Sequence, residues 1–218
     1  MVRKKPAKKK RSPRIVRKRA EARRDILSAA QAILAEQGAD AVTLASVAAR
    51  LDITKQALYH YFPSKEAMNR ALVASLIEAE TEALVRAVGQ VRRRDKVLGE
   101  LIRAFYAHYI GSLDAFRAVY CQSQLTAPAT GSLDEATLRQ DIHPHTRRLF
   151  DTLEAIIAGD GATVAKRRHA RRQAFAAWAS ALGLMTMIGL AEATHDPLVH
   201  GHDSLLNTLA RAFELPRT

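Results

Sequence analysis

Apolar residues recur at helical spacing along most of the chain, and segments that alternate with a period of two are almost absent. Together with an Ala-, Leu- and Arg-rich composition, this pattern predicts an all-α protein. The first apolar stripe predicts a helix over about residues 20–37, which Gly38 ends as a C-cap. A long helix is predicted from its N-cap, Ser64, to Val88. Further helices are predicted over residues 95–111, 114–125, 133–141, 144–158, 162–193 and 203–214.

Residues 43–62 divide this pattern into two short amphipathic helices. The first has Thr43 as its N-cap and an apolar stripe at i, i+3, i+4 and i+7, formed by Leu44, Val47, Ala48 and Leu51. The stripe breaks at Asp52, and a second helix follows from about Thr54 until Pro63 ends it. Two such helices cannot bury a core alone, but they have the size and spacing of a helix-turn-helix. In that motif the second helix lies in the DNA major groove.

The outward side chains of the second helix suit contacts with DNA. They provide donors, acceptors and aromatic hydroxyls without an acidic group: Thr54, Lys55, Gln56, Tyr59, His60 and Tyr61. Gln can pair bidentately with adenine, Lys can reach guanine or phosphate, and Tyr hydroxyls bind phosphate oxygens. A polar, solvated face is the alternative interpretation for any short helix, and the surrounding sequence decides between the two.

The surrounding residues resemble the tetracycline-repressor-like (TetR/AcrR) family of transcriptional regulators. The similarity extends from about Arg24 to Met68, and its most specific part is the run LYHYFPSKE at residues 58–66. The resemblance implies phosphate contacts at three positions and base contacts at three others, namely Thr43, Tyr59 and Lys65 for phosphates, and Lys55, Gln56 and His60 for bases.

Three positions depart from the pattern of the family. Asp52 and Gln56 both stand where the family often has glycine. Aspartate tolerates the left-handed backbone of a turn, so we expect the turn at Asp52 to form. Ala45 occupies a DNA-binding position where some members carry a base-reading arginine, and the first helix should therefore contribute less direct readout.

The positive charge of the chain is concentrated at its N-terminus. The net charge is +12, and residues 1–20 hold eleven of the 34 basic residues and no acidic one. A lysine-rich segment with two prolines and few apolar residues cannot fold alone, so residues 1–19 are predicted to form a disordered basic arm. The arm is either a solvated tail or an electrostatic contact to DNA phosphates. Residues 20–80 are predicted to form the three-helix DNA-binding domain, and residues 81–218 the helical effector-binding and dimerisation domain.

The segment from Ala174 to Ala191 contains eighteen residues without a charge. A membrane span is one interpretation, but small residues dominate the segment and its length is at the lower limit for a bilayer. A helix buried on two sides, by its own core and by a second subunit, is the interpretation we favour. The family resemblance implies that the last two helices pair across a two-fold axis. The predicted interface residues are Ala176, Ala179, Ser180, Gly183, Leu205 and Leu209.

Aromatic and methionine side chains recur in the C-terminal half of the chain, and most of them are expected in its core. A regulator of this kind needs a pocket for its effector, and adaptable apolar side chains suit an apolar or aromatic small molecule. The predicted wall residues are Phe105, Tyr109, Tyr120, Phe150, Trp178 and Met185.

The sequence contains no motif of the common enzyme classes, since GxSxG, HExxH and a glycine-rich phosphate loop are absent. We therefore predict no catalytic residue, no cofactor and no metal. The single cysteine, Cys121, permits neither an intrachain disulfide nor a Cys-based zinc site and is typical of a reducing cytoplasm. No charge-free segment of a secretory signal follows the basic N-terminus.

These features predict a cytoplasmic, homodimeric, ligand-responsive repressor that binds a pseudo-palindromic operator in double-stranded DNA. Two alternatives come from other classes of protein. The lysine-rich arm could serve a sequence-tolerant DNA-coating protein. A metal-responsive sensor or an enzyme could use the C-terminal histidines and nearby aspartates, namely His143, His145, His195, His200 and His202 with Asp141, Asp196 and Asp203.

Overall fold

A computed structural model describes residues 12–121, 135, 138–195 and 201–215, and within these ranges the regular structure is entirely helical. The helices are α1 (Pro13–Gln37), α2 (Leu44–Arg50), α3 (Lys55–Tyr59), α4 (Lys65–Gly89), α5 (Val97–Tyr109), α6 (Leu113–Phe116), α7 (His143–Ala158), α8 (Val164–Thr194) and α9 (His202–Ala212). Turns of π-helix, Arg117–Cys121 and Leu138–Ile142, follow α6 and precede α7. The predicted all-α class is confirmed.

Most of the predicted helices agree closely with the structure. The boundaries of α5, α7, α8 and α9 lie within two residues of the predicted ones. The helix predicted over 114–125 corresponds to α6 and its π-helical continuation, as far as the described residues extend. Most of the helix predicted over 133–141 lies outside the described residues.

The chain divides into two compact units between Leu72 and Val73, inside α4. We call them the N-terminal unit and the C-terminal unit. The boundary expected from the sequence was eight residues later, at residue 80. The N-terminal unit contains α1, α2 and α3, whose apolar faces form a common core that includes Ile26, Ile33, Leu34, Leu44, Val47, Leu58 and Phe62.

The first helix is longer than predicted. It begins at Pro13, so residues 13–19 are helical, and their assignment to a disordered arm was wrong. Proline suits the first turn of a helix because its fixed φ is already helical and no hydrogen-bond donor is needed there. Contacts of Arg19 and Arg23 with the end of α3 hold this part of the helix against the N-terminal unit. Residues 1–11 lie outside the described residues.

The core of the C-terminal unit forms where α8 packs against α5 and α7, and where α9 packs against α5. The pair α5 and α9 approaches closely at Gly99. A β-carbon placed on Gly99 would lie 2.8 Å from the carbonyl oxygen of Ala210. Glycine at this position therefore permits the close helix contact.

The long helix α8 has two apolar faces. By length and composition it could cross a membrane, a property that core helices of globular proteins share. One face lies in the core through Ala170, Ala174, Ala177, Ala181, Met185 and Ile188. The opposite face exposes Phe175, Met187 and Leu190, each with more than half of its surface accessible.

One carboxylate lies inside the core of the C-terminal unit. Glu80 of α4 is 3% exposed, and no ion pair with it occurs in the described part of the chain. Its Oε2 accepts hydrogen bonds from the hydroxyls of Tyr109, at 2.5 Å, and Tyr120, at 2.7 Å. The indole of Trp178 is a third donor. Burial raises the pKa of Glu80, because desolvation of the charged form outweighs these hydrogen bonds.

The raised pKa of Glu80 predicts a pH-dependent stability. Proton uptake by Glu80 stabilises the fold at low pH, and this contribution is lost as the pH rises from the ordinary value of 4.5 through the raised pKa. The variant Glu80→Gln cannot ionise. Between about pH 5 and pH 8, wild-type protein should therefore lose free energy of unfolding relative to the variant, as measured by urea denaturation.

The matched control is Glu78→Gln, which changes an exposed carboxylate on the same helix. The difference between this control and wild-type protein should vary much less with pH. A difference between Glu80→Gln and wild-type protein that is constant across this pH range would contradict a raised pKa for Glu80.

Candidate DNA interface

The start of α2 is fixed by a reciprocal pair of hydrogen bonds. The Thr43 hydroxyl accepts from the backbone N–H of Ser46, and the Ser46 hydroxyl oxygen accepts from the N–H of Thr43, both at 3.0 Å. The Ser46 hydroxyl also lies 2.6 Å from the carbonyl oxygen of Ala41, to which it donates. This capping box satisfies amide groups that the first turn of a helix leaves unpaired.

The turn between α2 and α3 adopts the conformation expected from the sequence. Asp52 stands at a position where the family often has glycine. Its φ of 52° lies in the left-handed region. Thr54 then caps α3 by accepting a hydrogen bond from the N–H of Ala57, at 3.1 Å. The prediction that aspartate would preserve this turn is confirmed.

The recognition helix α3 is shorter than predicted, because regular helix ends at Tyr59 rather than at Phe62. Only Leu58 of this helix is buried, and Phe62 adds a second anchor just beyond its end. The N–H groups of Tyr61 and Phe62 both donate to the carbonyl oxygen of Leu58, which keeps this extension compact.

Two arginines of α1 hold the end of this extension. Arg19 donates to the carbonyl oxygen of His60 at 2.9 Å, and Arg23 donates to that of Tyr61 at 2.8 Å. The guanidinium of Arg23 also lies 4.2 Å from the centre of the Phe62 ring, a cation–π distance. Cationic groups at the C-terminal end of a helix are favoured because its carbonyls carry partial negative charge.

The sequence analysis did not identify Arg19 and Arg23 as positioning residues. Arg19 was assigned to the disordered arm, and the charge of that segment hid its structural role. The four-residue spacing of the two arginines was the available signal, since it places both side chains on one face of a helix.

The structure leaves most of the predicted DNA-binding residues accessible. Thr43 and Tyr61 are half-buried, and the exposed members of the set are Ala45, Thr54, Lys55, Gln56, Tyr59, His60 and Lys65. A shallow cavity of about 400 Å³ brings together five of the nine, namely Thr43, Ala45, Lys55, Tyr59 and Lys65. The other four do not line this cavity. Glu66 also lines it and is the acidic residue of this cavity.

The predicted effector residues lie in one aromatic cluster of the C-terminal unit. Ring centres are 5.2 Å apart for Phe105 and Tyr109, 5.9 Å for Tyr120 and Trp178, and 6.1 Å for Phe150 and Trp178. Phe105 and Tyr109 are buried, and the other three rings are half-buried. Met185 is buried in the same core.

The predicted interface residues lie on α8 and α9. Ala176, Ala179 and Gly183 are exposed on α8, whereas Ser180, Leu205 and Leu209 are half-buried. Leu209 packs against the core of its own unit.

The described histidines do not form a metal site. Within the described ranges, no group of three or more His, Cys, Asp or Glu side chains is placed to hold a metal ion. Asp196 and His200 lie outside those ranges.

Comparison with known proteins agrees with this geometry. Residues 26–72 match the family described as bacterial regulatory proteins, tetR family. The chain is 30% identical over 169 residues to the HTH-type transcriptional repressor KstR of Mycolicibacterium smegmatis. The aligned region covers 74% of this chain and 75% of KstR.

Solved structures show the same fold at low sequence identity. A TetR variant from Acinetobacter baumannii AYE in complex with minocycline has a TM-score of 0.59 and 21% identity, covering 86% of this chain and 91% of that one. FadR from Bacillus subtilis in complex with stearoyl-CoA has a TM-score of 0.61 and 14% identity, covering 88% and 97%.

The capped helix-turn-helix, its exposed reading face and the helical C-terminal unit define a DNA-binding transcriptional regulator. The chain belongs to the TetR family of bacterial regulatory proteins. The family resemblance seen in the sequence is confirmed.

The arginine contacts predict a local effect on the end of the recognition helix. Arg23→Ala removes the hydrogen bond to Tyr61 and the cation–π contact with Phe62, and should destabilise the N-terminal unit by about 1–3 kcal/mol. Amide hydrogen exchange at Tyr61 and Phe62 should accelerate in the free protein. Arg24→Ala is the control, because Arg24 is exposed on the same helix. Equal protection of these two amides in both variants would contradict the positioning role of Arg23.

Proposed function

We propose that this protein is a ligand-responsive repressor that binds a pseudo-palindromic operator as a homodimer in the cytoplasm. The observation that carries the proposal is the reading face of α3, which is accessible and is held by contacts from α1. Similarity to KstR, a transcriptional repressor, supports the sign of regulation. Binding of purified protein to genomic fragments, followed by sequencing of the bound DNA, tests whether one operator is preferred.

We assign the accessible residues of the interface to two roles. Tyr59 and Lys65 are assigned to phosphates, together with the capping residue Thr43, whose N–H and hydroxyl order the start of α2. Lys55 and Gln56 begin α3 and are the candidates for base readout in the major groove. His60 follows the helix directly and is assigned to the same group.

Basic residues at the start of α1 extend this surface. Arg14, Arg17 and Lys18 are exposed. They precede Arg19, which donates a hydrogen bond to the carbonyl oxygen of His60 just after α3. We assign them to the phosphate backbone, which contributes affinity without sequence preference.

The exposed apolar face of α8 supports the proposed dimer. Phe175, Met187 and Leu190 lie on it beside the small residues predicted for the interface. Apolar side chains of this size are buried favourably against a second subunit, and a self-complementary face is what a two-fold dimer needs.

The effector is proposed to be an apolar or aromatic small molecule that binds the C-terminal unit. The aromatic cluster around Phe105, Tyr109 and Trp178 supplies side chains of suitable chemistry. The similar regulators solved with minocycline and with stearoyl-CoA support a small-molecule effector. An effector that binds better to a conformer in which the recognition helices are misplaced shifts the population away from the DNA-binding state.

The two proposed roles at the interface predict different effects on operator binding. Tyr59→Phe and Lys65→Ala should weaken binding to operator and competitor DNA alike, since phosphates carry no sequence information. Lys55→Ala and Gln56→Ala should instead change base preference at a defined operator position by about 1–3 kcal/mol. Binding to a set of operators with single base changes measures both effects.

The same binding experiment separates the proposed function from its main rival. A DNA-coating protein should show little preference between operator and competitor DNA. If all four substitutions weakened binding to every DNA sequence equally, the distinction between phosphate-binding and base-reading residues would be wrong.

The small residues of α8 predict a variant that acts on the dimer alone. A β-carbon at Gly183 would meet no atom within 4 Å in the protomer, so Gly183→Leu should leave the fold intact. If Gly183 lies in the interface, the added side chain should raise the dimer dissociation constant by about tenfold or more. Analytical ultracentrifugation measures this constant.

Gly89→Leu is the matched control, because Gly89 also has open space around it and ends α4. The control should dimerise as wild-type protein does. A Gly183→Leu variant that dimerises with wild-type affinity would exclude close packing at this position.

A further inference from the structure

A second recess lies in the C-terminal unit, outside the aromatic cluster. It is a groove of about 800 Å³ formed by the end of α7, the start of α8, the connection before α5 and the segment after α9. Its apolar lining, which we call the floor, consists of Ile157, Ala158, Ala165, Ala170 and Leu215. None of the predicted effector residues lines it. A recess of this size is typical of small-molecule sites.

The polar side chains of this groove carry an excess of positive charge. Arg93, Arg94 and Lys166 line it, together with one acidic residue, Asp95. Asp95 is already neutralised by Arg93, at 2.5 Å. In the described ranges, neither Arg94 nor Lys166 forms an ion pair. Among the described residues, these two cationic groups therefore line the groove without an acidic partner of their own.

The guanidinium of Arg94 lies against the turn that ends α7. Gly159 has φ of +77°, in the left-handed region, and its missing side chain leaves room for the guanidinium of Arg94. A β-carbon placed on Gly159 would lie 2.5 Å from Nη2 of Arg94. The guanidinium is therefore seated on this turn, and a side chain at position 159 would displace it.

The connection before α5 is itself anchored. The N–H of Leu215 donates to the carbonyl oxygen of Asp95 at 2.9 Å, and Lys96 forms an ion pair with Glu214. These contacts fix the segment after α9 against the connection before α5. The lining of the recess therefore combines an anchored backbone segment with the cations Arg94 and Lys166.

We propose that this groove binds a small amphiphilic anion, a carboxylate or a phosphate monoester that carries an apolar chain or ring. The apolar part would cover the floor around Ile157 and Leu215. The guanidinium of Arg94 would bind two oxygens of the anionic group, and Lys166 would add a point charge. This site is separate from the aromatic cluster, and its existence does not depend on the proposed operator function.

Octanoate and octyl phosphate are suitable probes, with 1-octanol as the neutral analogue of equal chain length. Titration calorimetry on the full-length protein should give binding of at least one anion, about tenfold or more tighter than that of 1-octanol. The double substitution of Arg94 and Lys166 to Ala should remove this preference and leave the weak binding of 1-octanol unchanged. Ala165→Phe, which fills the floor, should weaken all three probes.

The matched control is the double substitution of Arg168 and Arg172 to Ala, which removes two exposed charges from the same helix outside the groove. This control should bind both anions as wild-type protein does. The proposal is overturned if neither anion binds wild-type protein, if 1-octanol binds as tightly as the anions, or if the two double variants behave alike.

Two further measurements separate this site from other functions. Binding to vesicles of an anionic phospholipid, without binding of free octanoate or octyl phosphate, would assign the groove to a membrane surface and overturn the proposal. Operator binding measured on the same protein samples tests the proposed repressor function independently, so failure of one proposal is distinguishable from failure of the other.

Discussion

The DNA-reading surface depends on a recognition helix that is too short to be stable alone. A helix of five residues forms few internal hydrogen bonds and buries only Leu58. Its conformation therefore comes from its surroundings. Thr54 caps its start, and the carbonyls that follow its end are bound by Arg19 and Arg23. The residues of α3 that we propose for DNA contact are held in a defined orientation because α1 extends far enough to bind the carbonyls that follow α3.

Much of the helical framework could be predicted from the sequence, since apolar stripes determine which face of each helix is buried. The end of α8 lies within a residue of its predicted position, and the left-handed Asp52 followed from the tolerance of aspartate for that backbone. The start of α1 was predicted too late because composition alone ignores tertiary contacts. Arg19 is stabilised by a carbonyl forty-one residues away, and the spacing of Arg19 and Arg23 indicates only that they share a helix face, not what they bind.

The two candidate small-molecule regions, the aromatic cluster and the groove beside Arg94, also differ in how far the sequence predicts them. The aromatic residues of the C-terminal half are evident in the sequence, and the structure places those chosen as effector contacts in one cluster. The buried carboxylate of Glu80 was not predicted, because its three donors come from α5, α8 and the π-helical turn after α6. The groove lined by Arg94 and Lys166 combines four segments that are remote along the chain. Such sites are properties of the tertiary fold, and periodicity does not reveal them.

Trp178 has a spectroscopic consequence, because it is the only tryptophan in the chain. Its indole donates to Glu80, and its ring centre lies 5.8 Å from that of Phe175, whose side chain is exposed on the apolar face of α8. Indole emission responds to local polarity and to hydrogen bonding, and an amphipathic ring of this kind experiences both. The indole emission of the unlabelled protein therefore comes from one position that lies between the buried carboxylate and the surface of the helix. A single emission spectrum can report changes on either side of that ring.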